Sequence, residues 1–236
     1  MRAPILPAKQ ARSRATLERL LKATAELLEE GGLEAATLPR IAARARLSPA
    51  TVYRRFPDKD ALLQEVFRRF FATIYQSSQE FFRPEAWEGM PLAEMARRIV
   101  THMLEFNREH VGLILALMRY VAQHPKAAFR REAQKQQSMS FQNAIQTLLL
   151  RRQEMAHPEP DVAVPFALLA VSTVMRDLML MQKAQRDVAK SFPASEQRIQ
   201  DELLRLFLRY LGVPEPEASA APPNMTDPGA LSPSSR

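Results

Sequence analysis

Leucines at positions 17, 20, 21, 27 and 28, with Ala23 and Thr24 between them, repeat at the i, i+3, i+4, i+7 spacing that lays one apolar face along a helix. The pattern predicts a helix over 14–30, closed by the glycine pair 31–32, since glycine takes the left-handed conformation of a helix end. Two short apolar steps follow. Thr37 is placed to cap a helix through Ala45, with Pro39 tolerated in its first turn. Ser48 is placed to cap another, with Pro49 at its first position, and Pro57 limits it to about Phe56. Asp58 then caps a long amphipathic helix over 59–82. Beyond Pro84 the apolar spacing predicts helices over 91–107, 109–122, 126–155, 161–187 and 195–211, and no stretch alternates as a strand does.

Composition supports this without adding to it: six glycines in 236 residues, 46% apolar residues and abundant Leu, Ala, Arg and Glu favour a helical globular chain. Absence of cysteine excludes disulfides and thiolate metal sites and suits a cytoplasmic protein. No signal peptide is expected, and the longest apolar run, 162–171, is half of what a membrane crossing needs. Charge does change the picture. Residues 1–70 hold fourteen Lys/Arg against eight Asp/Glu, whereas the rest is nearly balanced at nineteen against eighteen. An excess of that sign in one third of the chain favours an anionic partner.

The short pair over 37–56, behind a longer helix, has the form of a helix-turn-helix, whose second helix enters a DNA major groove. Leu38, Ile41, Ala42 and Ala45 give the first short helix an apolar face, and Val52 and Phe56 anchor the second. Outward there remain Ser48, Ala50, Thr51, Tyr53, Arg54 and Arg55, small or hydrogen-bonding groups suited to base edges and phosphates. Prolines 49 and 57 break the long stripe that a membrane-surface helix would need. The motif Thr-Leu-x-x-Ile-Ala followed by Ser-x-x-Thr-x-Tyr-x-x-Phe-x-x-Lys resembles the DNA-binding domain of the TetR family of bacterial regulators over about residues 15–67. That resemblance implies phosphate contacts for Thr37, Tyr53 and Lys59, and base contacts for Ser48, Pro49, Ala50, Thr51 and Arg54. Arg12 and Arg14, ahead of the first helix, are expected to reach the backbone or minor groove as arms do in related readers. The sequence departs from the family at Arg46, where the turn usually carries glycine. A left-handed Arg46 costs roughly 1 kcal/mol and brings its guanidinium to the DNA side.

The helix over 195–211 carries two apolar stripes, Ile199, Leu203, Leu206 and Tyr210 beside Leu204, Phe207, Leu208 and Leu211. The helix before it offers Leu168, Val171, Met175 and Leu178. Two stripes suit burial against a core and a second copy, so Leu168, Val171, Met175, Leu204, Phe207, Leu208 and Leu211 are expected at a four-helix homodimer interface. In the resembling family the last two helices do form the dimer. His102, Phe106, Arg119, Tyr120 and Met175 are candidates for a pocket holding a small hydrophobic effector.

Histidines 102, 110, 124 and 157 are scattered without ligand spacing, and neither nucleophile-elbow nor phosphate-loop motifs occur, so neither metal, cofactor nor catalytic residue is expected. The expectation is an all-α chain: a basic flexible arm (1–13), a three-helix helix-turn-helix DNA-binding domain (14–65), a larger helical ligand-binding and dimerisation domain (66–212) and a disordered tail (213–236). Such a chain would be a repressor that grips a palindromic double-stranded DNA operator as a homodimer and leaves it when effector binds, with a hinge at Asp58–Gln64. The alternative is a helical small-molecule-binding protein, or an enzyme using the central cavity, without operator binding.

Overall fold

A computed structural model describes residues 8–183 and 195–213; the first seven residues of the expected arm, the end of the helix expected to reach 187, and the tail from 214 lie outside the described residues. Eight α-helices are present among them: α1 (Ala8–Ala35), α2 (Leu38–Arg44), α3 (Pro49–Tyr53), α4 (Lys59–Phe81), α5 (Leu92–Gln123), α6 (Arg130–Leu149), α7 (Pro160–Lys183) and α8 (Glu196–Leu211). The all-α expectation holds, with shifted boundaries. Residues 8–13, expected in the arm, are the first turns of α1. The glycine pair breaks that helix where the sequence predicts its end: Gly31 (φ −149, ψ 20) and Gly32 (φ 69, ψ −158) are both non-helical, the second in a conformation open essentially to glycine alone, and only a last short turn follows to Ala35. Asp58 caps α4 as predicted, accepting from the Ala61 amide at 2.8 Å, whereas the Thr37 and Ser48 side chains make no capping bond.

The apolar interior divides into two clusters whose boundary crosses helices instead of falling between them. One gathers Leu20, Leu27, Ile41, Val52, Leu62 and Phe67 of the N-terminal helices, and it takes in Leu113, Ala116 and Tyr120 of α5 and Phe129 of the α6 entrance. The other joins Trp87, Met95, Ile99 and Leu104 with Leu148, Leu168, Val171, Met175, Leu203 and Phe207. Helix α5 belongs to both because it bends at His110, where φ is −121 and ψ is 16. Its first half is body, its second half floor to the head.

The expected dimer residues Leu168, Val171, Met175, Leu204, Phe207, Leu208 and Leu211 are all buried in the chain's own core. Ile199 and Leu203 of the other stripe are buried with them, so that only Leu206 and Tyr210 of the two stripes stay exposed. The face that α7 and α8 leave uncovered carries Val162, Phe166, Leu169 and Val174 beside Leu206 and Tyr210. Phe166 is 56% and Leu169 57% exposed, and the Phe166 and Tyr210 rings lie 5.3 Å apart, so the two helices form one continuous apolar face. Pro165 sits inside α7 without ending it. By length and composition Pro160–Met181 is apolar enough to cross a membrane, which the shorter run in the sequence did not suggest; a helix apolar on both sides requires a second cover for the outer one.

Candidate nucleic-acid interface and coupled cavity

Helix α3 presents its outer face on a scaffold of α1, α2 and α4. Val52 is buried beneath it, while Ser48, Pro49, Ala50, Tyr53 and Arg54 are exposed and Thr51 is half-buried. Ser48 and Thr51 hydroxyls pair at 2.9 Å and the Arg54 guanidinium donates to Thr51 at 3.1 Å, a chain of adaptable donors and acceptors on one surface. Arg55 donates to Ser13 of α1 at 2.9 Å, and Arg12, Ser13, Thr16, Thr51, Arg54 and Arg55 line one shallow groove between α1 and α3. Arg44, by contrast, is forked onto Glu30 at 2.7 and 2.8 Å, and those carboxylate bonds, together with Glu26, raise its pKa further. It is neutralised at the back of the head while the α3 arginines face outward.

Arg46 has a φ of 53, the left-handed turn residue that its position implies. Sequence reasoning missed what supports it. The Arg19 guanidinium of α1 donates to the Ala45 carbonyl, and to the Arg46 carbonyl at 2.8 Å, satisfying acceptors that the end of α2 leaves open. Exposed Thr37 stands at the start of α2 with its hydroxyl unused in a cap. Lys59 is half-buried and donates to the Leu33 carbonyl at 2.7 Å; an ammonium has three donors, so two remain for a phosphate.

Head and body are tied by polar bonds. Glu29 of α1 accepts from the amides of Gly112 and Leu113 at 2.6 and 2.7 Å, two and three residues past the bend at His110. Buried Tyr120 donates to Asp60, while Gln64 donates to Asp60 at 2.7 Å and accepts from the Ala128 amide at 3.2 Å. Burial, and Asp60 beside it, push the Tyr120 pKa up. The expected hinge segment Asp58–Gln64 is therefore bound to α5 and to the entrance of α6.

A cavity of about 220 Å³ lies among α4, α5, α6 and α7. His102 and Phe106 line it, as expected, and so does Phe141. Met175 is buried one layer behind, its sulfur 3.8 Å from the Asn107 amide nitrogen. Arg119 and Tyr120 do not line it. Both lie past the bend of α5, which turns them toward the head: Arg119 faces Glu34 at 3.7 Å and Tyr120 reaches Asp60. The His102 ring stacks on Phe81 at 4.0 Å, and burial lowers its pKa against the opposing pull of Glu105 and Glu109. Ser78 and Ser140, which no sequence signal marked, also line the cavity, and their buried hydroxyls have no hydrogen-bond partner.

Residues 20–66 match the model for bacterial regulatory proteins of the tetR family. The uncharacterized HTH-type transcriptional regulator YhgD of Bacillus subtilis (strain 168) is 26% identical over 91 residues, 39% of this chain and 46% of that protein, so the match spans about half of the relative's length. Solved structures extend the likeness to the whole fold. A structure from Mesorhizobium loti MAFF303099 assigned to the TetR family of transcriptional regulators aligns with TM-score 0.60 at 17% identity, over 86% of this chain and 99% of its own. Another, FadR from Bacillus subtilis in complex with stearoyl-CoA, aligns with TM-score 0.56 at 13% identity, over 80% and 96%.

Proposed function

We propose that the chain is a DNA-binding transcriptional regulator of the TetR family, whose model matches residues 20–66, and that it acts in the cytoplasm as a ligand-released repressor of a palindromic DNA operator. The observation that carries this reading is the outer face of α3: a hydrogen-bonded Ser48–Thr51–Arg54 chain beside the Arg12 and Arg55 groove, with Tyr53 58% exposed at its end. Ser48, Thr51 and Arg54 read base edges, with Pro49 and Ala50 allowing close approach. Thr37, Arg46, Tyr53 and Lys59 hold phosphates.

One five-residue recognition helix covers too few base pairs for useful selectivity, so two copies bind together. The uncovered face of Val162, Phe166, Leu169, Val174, Leu206 and Tyr210 is the surface on which they meet, α7 and α8 packing on their symmetry mates as a four-helix bundle. In the binding state the two α3 helices stand about 34–36 Å apart, one duplex turn. A ligand in the cavity acts through differential affinity for two arrangements of the helices. Phe106 and Asn107 line the cavity one turn before the His110 bend, and Glu29 grips α5 one turn after it, so a displacement of α5 is carried into α1 and the head. The stearoyl-CoA of FadR is a poor guide to the ligand here, since no Lys or Arg lines this cavity to meet its phosphates.

Footprinting on the DNA upstream of the chain's own reading frame tests the reading. Protection of a palindrome is expected. Lys59→Ala weakens all sequences alike and flattens the salt dependence, while Arg54→Ala changes base preference. Phe166→Glu with Leu169→Glu yields a folded monomer by sedimentation that no longer protects the site. A helical ligand carrier without operator binding is the better reading if no site is protected and duplex affinity ignores both head variants.

A further inference from the structure

The cavity among α4, α5, α6 and α7 has a chemistry narrower than "hydrophobic". Its apolar side is aromatic: Phe81, Phe82, Phe106 and Phe141 line it together with His102. Its polar side holds hydroxyls that the fold leaves unused. Ser78 is only 8% exposed, and neither its Oγ nor that of Ser140 has a hydrogen-bond partner. A buried hydroxyl left unpaired costs about 1–3 kcal/mol. Both residues line one cavity, so a rotation about χ1 turns either hydroxyl into it, where a guest supplies the missing bond.

Charge excludes most occupants. No Asp, Glu, Lys or Arg lines the cavity. Burial keeps the one titratable side chain there, His102, more neutral than an exposed histidine. A carboxylate or ammonium ion placed here loses its hydration without an opposite charge, a penalty of several kcal/mol. Size excludes most of the rest. A cavity of about 150 Å³ suffices for benzene, and this one has about 220 Å³, room for one ring and a short substituent.

We propose that this cavity binds an uncharged, single-ring aromatic molecule carrying a hydroxyl group, its ring among the phenylalanines and its oxygen bonded to Ser78 and Ser140. The proposal rests on the reading of this cavity as the effector site and specifies the class of effector. A hydroxyl both donates and accepts, and so do the two serines, which lets all three groups be satisfied together. A purely apolar ring of the same shape leaves both serines unpaired.

Calorimetry on the full chain at pH 7 with three probes of one shape tests it: 4-ethylphenol, ethylbenzene and 4-ethylbenzoate. The phenol is expected to bind about tenfold more tightly than the hydrocarbon, the worth of one net hydrogen bond, and the carboxylate not to saturate. Ser78→Ala combined with Ser140→Ala brings the phenol and hydrocarbon within about twofold of each other while retaining hydrocarbon binding, the expectation for an oxygen held by those serines. A carboxylate that binds as well as the phenol overturns the proposal, as does a gap that survives the double substitution. So does the absence of binding heat with all three, which leaves trapped water as the only occupant. Operator occupancy, followed by mobility shift in the same samples, reports separately on the functional reading. Phenol bound with the operator still held refutes release by this ligand and leaves the ligand class standing; operator bound with no heat from any probe refutes the class alone.

Discussion

Glu29 and Ser78 are both polar side chains enclosed by packed helices, and the fold treats them in opposite ways. Glu29 accepts two amides of α5, at 2.6 and 2.7 Å, and neighbouring Asp60 takes bonds from both Tyr120 and Gln64. Ser78, with Ser140, lines the cavity, and the buried hydroxyl of each bonds to nothing. A satisfied network holds one arrangement of its helices, because every alternative leaves a buried group unpaired. An unsatisfied one is completed from outside. The junction is thus built to hold head and body in register, whereas the cavity, in the function proposed above, takes a guest that alters that register.

The strongest way to break the contrast is Glu29→Ala. It removes two hydrogen bonds to a charged acceptor, those from the Gly112 and Leu113 amides beside the bend. A loss of about 2–4 kcal/mol in urea unfolding at fixed protein concentration is expected. Glu34→Ala, which removes only an exposed pair with Arg119 at 3.7 Å, is the control and should cost less than about 0.5 kcal/mol. Equal effects would reduce the Glu29 bonds to surface decoration. Beyond stability, Glu29→Ala should leave operator affinity nearly unresponsive to a ligand that still binds, because the head loses its grip on α5. Tyr120→Phe comes next. It keeps the ring among Phe67, Phe129 and His124 and deletes only the hydroxyl bound to Asp60, so about 1 kcal/mol is the expected loss.

These two regions were unequally legible in the sequence. The head announces itself through neighbours in the chain: prolines at helix starts, Asp58 three residues before the amide it caps, and a recurring motif from Thr37 to Lys59. Its long-range supports were not legible. Arg19 reaches a carbonyl 27 residues away and Glu29 an amide 83 residues away, and no local spacing encodes either contact. In the body, apolar periodicity located the helices and identified α8 as apolar on two sides. Periodicity is blind to how much of each stripe turns inward: Leu204 and Phe207, placed at the partner, are buried in the chain along with Ile199 and Leu203 of the other stripe, and only Leu206 and Tyr210 remain uncovered. His102 and Phe106 were found in the cavity because they precede the bend in α5. Arg119 and Tyr120 were misplaced because, although a break was expected at 108, close to the bend at His110, apolar spacing does not give the direction in which the second half of the helix turns.

The smallest expected effect separates the cavity from the junction by pH. Burial disfavours the imidazolium of His102, so its folded-state pKa lies below the unfolded value of 6.5. Where the unfolded chain binds the proton more readily, stability rises with pH. His102 therefore contributes no pH dependence well above neutrality, and it destabilises progressively as pH falls below 6.5. Glu105 and Glu109 pull the other way, which keeps the effect slight. His102→Phe preserves the stack on Phe81 and removes the titration. Urea midpoints measured from pH 8 down to pH 5.5, at one protein concentration, should run parallel for the two proteins above neutrality and diverge in the acid range, with wild type falling faster. A gap that instead opens as pH rises would mean that the folded protein favours protonated His102, and a cavity that tolerates an imidazolium would no longer discriminate against a cationic guest.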